Sequence, residues 1–174
     1  MPRSPSAALP VAYVVLRLLI VLNWLYGAAI LALLTFTFVN EPFLLRALHL
    51  GSPGENPALV VGIRAIAVLG LVAVPLNHAL LSRLLAMVHT VRAGDPFVVA
   101  NAYRLQFIAW ILLALQVLSS VVWAIGKVVS SDAHPLHLNA GFSPAGWLAV
   151  IMTFILARVF AAGTLMRDDL EGTI

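Results

Sequence analysis

LVVGIRAIAVLGLVAVPLNHALLSRLLAM, residues 59–87, contains no acid and only two arginines. It is long enough, at about 1.5 Å per helical residue, to cross a hydrocarbon layer of about 30 Å. Three other stretches read the same way: Val11–Val39, Leu105–Val129 and Ala145–Met166. With 62% hydrophobic residues and a mean hydropathy of +1.03, a soluble fold of 174 residues would lack a polar surface. The expectation is an all-α fold: a polytopic integral membrane protein, one four-transmembrane-helix bundle over residues 1–174. The gaps between spans are too short for a second folded domain. The first span reads as retained. Its basic leader is only Arg3, Arg17 interrupts it, and it exceeds a signal-peptide core in length.

Composition removes several function classes. There are no cysteines, hence no disulfides, iron–sulfur cluster or thiolate chemistry. The pI near 10.0 rests on a net charge of only +3, and the cations sit beside the membrane, so direct nucleic-acid binding is not expected. Haem would need facing histidines, yet His78 and His89 share one span. His49, His134 and His137 fall in loops without an acid pair, weak grounds for a metal. No Ser–His–Asp order, phosphate-cradling glycine loop or zinc helix motif occurs. No enzyme and no cofactor is expected.

An even number of spans puts both termini on one side. Arg3, Arg17, Arg83, Arg92, Arg104, Arg158 and Arg167 then lie with the termini, against Arg46, Arg64 and Lys127. This asymmetry predicts that both termini are cytoplasmic. The exterior connections are NEPFLLRALHLGSPGENP (40–57) and SSDAHPLHLNAGFSP (130–144). In the second, Ser143 reads as an N-cap and Pro144 as the first residue of the fourth helix. In the central connection Gly94 is placed to end the second helix in a left-handed conformation. Asp95 reads as an N-cap ahead of Pro96.

Small residues recur every four positions in the fourth span: Ala145, Ala149, Thr153, Ala157 and Ala161. Helices in lipid associate through close backbone approach, so this ridge is a packing face, either within the chain or between two copies in a homodimer. The third span carries Gln116, Ser119, Ser120, Trp123 and Lys127 on one broad face, suited to interhelical hydrogen bonds or to a substrate path. On the first span Tyr13, Arg17, Trp24, Ala28 and Thr35 read as the inward face. Arg64 and Arg83 bracket 18 residues, about 27 Å, and mark the two interfaces of the second span. Arg158 lies nine residues, about 13 Å, inside Arg167. It calls for an anion: Asp95, the tail acids Asp168, Asp169 and Glu171, backbone carbonyls or lipid phosphate. Pairing with Asp95 is the expectation. With no carboxylate in any span, His78, just after Pro75, is the lone titratable group deep in the bundle. It reads as a hydrogen-bonding residue.

Two stretches carry a resemblance. VRAGDPFVVANAYRLQFIAW (91–110) holds Gly94, Asp95, Pro96 and Phe97, then Asn101 and Arg104 ahead of an apolar span. ARVFAAGTLMRDDLEGTI (157–174) holds Arg158, Val159, Phe160, Gly163, Asp168, Asp169, Glu171 and Thr173. Together they resemble a bacterial membrane-protein family catalogued as domain of unknown function 2975. The family implies four spans and no established activity. It implies, by association, a cytoplasmic helix-turn-helix regulator as partner. The expected function is an interaction or regulatory protein of the bacterial inner membrane. Its cytoplasmic latch would join Gly94–Phe97, Asn101 and Arg104 to Arg158 and the acidic tail. The alternative is a small permease or channel-like protein.

Overall fold

The computed structural model describes residues 8–40, 42, 57–130 and 141–171, the last four of these by backbone alone. Among them are four α-helices: α1 (Ala8–Val39), α2 (Pro57–Arg92), α3 (Val99–Val129) and α4 (Pro144–Glu171). All four are long and apolar enough to cross a membrane, and no strand occurs among the described residues. This is an all-α, multi-pass membrane protein. Its large exposed side chains are aliphatic and aromatic on every helix, as a lipid solvent requires.

The helices pack in chain order: α1 on α2, α2 on α3, α3 on α4. α1 and α3 flank an apolar groove floored by α2, and α4 lies beyond α3 with no close backbone approach to α1 or α2. The bundle is therefore an open row. Its core centres on α2 and α3, with Leu59, Val74, Leu105, Ile108, Ala109 and Ile111 buried.

Small residues and polar cross-links set each interface. Gly27 of α1 faces Val74 of α2, where an added Cβ would sit 3.0 Å from both valine methyls. Pro75 leaves α2 helical, and beside it Asn23 donates to the Val74 carbonyl at 3.0 Å. Trp24 donates to His78 Nδ1 at 3.2 Å, and Ser82 Oγ lies 3.4 Å from Nε2. His78 is thus a hydrogen-bonded helix-contact residue. The inward face of α1 is the expected one only in part. Tyr13 and Trp24 meet His89 and His78 of α2, and Asn23, Gly27 and Thr37 also turn toward α2, whereas Arg17, Ala28 and Thr35 are exposed. A helix apolar all round offers no stripe by which its face can be read.

The α4 ridge divides. Ala157 is buried and Thr153 and Ala161 are partly covered, but Ala145 and Ala149 are exposed. Gly146, Val150, Ala157 and Thr164 provide the seam against α3. A strict four-residue stride gains about 40° per step on a helix of 3.6 residues per turn, so a line begun at Ala157 has left the seam by Ala145.

The helix ends at the Gly94 side run past the apolar runs. α2 continues five residues beyond Met87, α3 begins six before Leu105, and α4 continues five beyond Met166. At the opposite end α4 starts as expected, with Ser143 Oγ accepting the Gly146 N–H at 3.1 Å and Pro144 as its first residue.

Candidate functional site

The link from α2 to α3 is built by three successive devices. α2 ends in a Schellman motif: the Asp95 N–H donates to Thr90 O and the Gly94 N–H to Val91 O, both at 3.1 Å. Gly94 has φ +85°, a conformation that costs an L-residue about 1–2 kcal/mol. Residues 95–98 are then non-helical, and α3 opens at Val99. Asp95 is not an N-cap. That position belongs to Val98, whose side chain offers no acceptor.

Asn101 holds the link in place. It is completely buried. Its Nδ2 donates to Thr90 Oγ1 at 2.7 Å and to Pro96 O at 2.9 Å, and its Oδ1 accepts from Arg104 Nη1 at 2.8 Å. One amide thereby joins the last turn of α2, the link and the first turns of α3. A buried amide so paired is stabilising, and each bond contributes about 1 kcal/mol net.

Two contacts carry the link to α4. Phe97 lies against Phe160, ring centroids 5.4 Å apart, and its Cδ1 is 3.3 Å from where a Cβ on Gly163 would stand. Asp95 Oδ1 accepts from Arg167 Nη1 in an ion pair whose side chains are 41% and 44% exposed. The central connection is thus joined to α4, but not by the expected Asp95–Arg158 pair. Asp95 pairs with Arg167. Arg158 is exposed, with no ion pair or hydrogen bond to a described residue, and it lines a groove between α3 and α4. The expectation failed because Arg158 was ranked by its distance from Arg167, and α4 keeps its helix well beyond the end of its apolar run.

Asp168, Asp169 and Glu171 continue the backbone of α4, but their side chains lie outside the described residues. So do His49, His134 and His137, and no cluster of metal-ligating side chains occurs among the described residues. Comparison with protein-family models, with curated proteins and with solved structures gave no match.

The polar stripe of α3 faces the start of α4. Ser119 Oγ accepts the Gly141 N–H at 3.3 Å, Trp123 lies under Gly141, and Gln116 lies against Gly146. Lys127 is 4.5 Å from the centre of the Trp123 ring. Two buried donors here, Gln116 Nε2 and Trp147 Nε1, have no hydrogen-bond partner among the described residues. Thr90, Phe160 and Arg167 complete the latch without having been singled out for it. Phe160 was visible as half of an aromatic pair only once Phe97 was placed.

Proposed function

We propose that this chain is an interaction protein of the bacterial inner membrane, with both termini in the cytoplasm. Its latch and acidic tail engage a cytoplasmic partner, a small helix-turn-helix regulator. Such a protein belongs with the family catalogued as domain of unknown function 2975.

One observation carries the reading. Arg167, the residue joined to Asp95, is followed at once by Asp168, Asp169 and Glu171. The segment with the greatest density of negative charge is anchored where it leaves the bundle, and a basic DNA-binding surface complements it. Holding its root in one place lowers the ordering cost of binding. The stripe on which the permease alternative rests is taken up by contacts with the start of α4. A second copy would approach the exposed Ala145 and Ala149.

The test is affinity capture in mild detergent of the intact chain and of a chain ending at Arg167. Recovery of a helix-turn-helix protein with the intact chain, lost on truncation, is the expected result. Its absence from both samples overturns the reading.

A further inference from the structure

Arg158 lines a groove of about 450 Å³ between α3 and α4, with Tyr103, Gln106, Trp110, Phe154 and Leu165 among its walls. Three features make it a ligand site. The first is its level in the bilayer. Arg83 of α2 lies 3.6 Å from the centre of the Phe107 ring, so it marks the same height as Gln106 and Arg158. At the opposite side Gly62 faces Val129, which brings Arg64 level with Lys127. The two levels are separated by the 18 residues between Arg64 and Arg83, about 27 Å of helix, the thickness of a hydrocarbon core. Arg158 therefore stands at a hydrocarbon–headgroup boundary, where lipid phosphates lie.

The second feature is charge. Other arginines near this level have partners within the chain: Arg17 over Tyr13, Arg83 over Phe107, Arg104 on Asn101. Arg158 has none among the described residues, and no acid is among the described side chains that line its groove. A guanidinium at a membrane boundary binds phosphate oxygens in its fork geometry. Among the described side chains the groove offers no carboxylate to receive the ammonium of a zwitterionic headgroup. The third feature is shape. Phe154 and Leu165 give apolar wall, Trp110 is 56% exposed, and Tyr103 and Gln106 add polar atoms. No residue of α1 or α2 lines the groove, so it opens to lipid.

We infer that this groove is a binding site for one anionic phospholipid, with its phosphate on Arg158 and an acyl chain along Trp110 and Phe154.

The test uses the protein in nanodiscs, with Trp24, Trp123 and Trp147 replaced by Phe so that Trp110 alone reports. Quenching by brominated phosphatidylglycerol is compared with quenching by brominated phosphatidylcholine. The expected result is a preference of about fivefold for the anionic lipid, the size one cation contributes beside an anionic surface. Arg158→Gln removes the preference, Arg158→Lys keeps part of it, and Arg83→Gln leaves it intact. Native mass spectrometry of the chain with all four tryptophans gives a second readout: one retained phosphatidylglycerol, lost in Arg158→Gln. Equal quenching by the two lipids overturns the inference, as does a preference or a retained lipid unchanged by Arg158→Gln.

Discussion

Asp95 and Arg167 pair across 72 residues of sequence, tying the link between α2 and α3 to the last turns of α4. Both side chains are more than a third exposed, so water and salt screen the pair. Asp95→Ala and Arg167→Ala should each cost under about 1 kcal/mol, with a coupling of about 0.5 kcal/mol in a double-mutant cycle that fades at high salt. A cycle of Asp95→Ala with Arg158→Ala should be additive. Coupling in the second cycle and none in the first would reverse the assignment. The readout is thermal unfolding in detergent.

Asn101 should matter more than the ion pair. Asn101→Ala removes the acceptor of Arg104 and both Nδ2 bonds, while the Thr90 hydroxyl keeps its bond to the Met87 carbonyl, and should cost about 2–3 kcal/mol. Asn101→Asp keeps the acceptor for Arg104 but loses both Nδ2 bonds, so it should still destabilise. A melting temperature unchanged in both variants would remove Asn101 from the centre of the latch.

Two glycines separate backbone strain from crowding. Gly94 has open space where a Cβ would stand, so Gly94→Ala should cost only its left-handed conformation, about 1–2 kcal/mol. Gly62 has φ in no special region, but a Cβ there would meet Val129 Cγ2 at 2.5 Å. Gly62→Ala should cost about 1–3 kcal/mol by overpacking, and Val129→Ala in the same chain should restore part of it. No rescue would place the cost elsewhere.

Gln116 offers the opposite sign. Its buried Nε2 has no partner among the described residues, so Gln116→Leu should be neutral or stabilising in an unfolding measurement, unlike the Asn101 variants. A loss of 2 kcal/mol or so would mean that the amide is satisfied in the membrane.

The proposed orientation is checked with reporters fused after Ile174 and near Gly54. A terminal fusion active only when exported would contradict cytoplasmic termini.

Much of this fold is legible in the sequence because lipid imposes a length and a composition on each span. Gly94 and Ser143-Pro144 are legible too, since left-handed backbone and helix starts favour few residue types. The contents of the latch are legible as a set of residues, but not as pairs. Whether Asp95 meets Arg158 or Arg167 depends on how far α4 runs past Met166, and a charged helical extension leaves no mark in hydropathy. The face of α1 is hidden because its few polar residues point different ways: Asn23 and Thr37 turn toward α2 while Arg17 and Thr35 do not, and their spacing alone does not say which. The weight carried by Asn101 is hidden for a third reason: its partners Thr90 and Pro96 become neighbours only once Gly94 has turned the chain.

The serial order of the helices has a mechanical consequence. In a closed ring of four, a push on one member reaches the fourth by two routes. Here α1 has no backbone approach to α4, so a tilt of α1 is transmitted through α2, across Thr90 and Asn101, and then by Asp95 and Phe97 to the tail. The molecule is wired in series: what passes from α1 to α4 must cross the α2–α3 and α3–α4 seams, and Asn101 is the polar joint at one end of them.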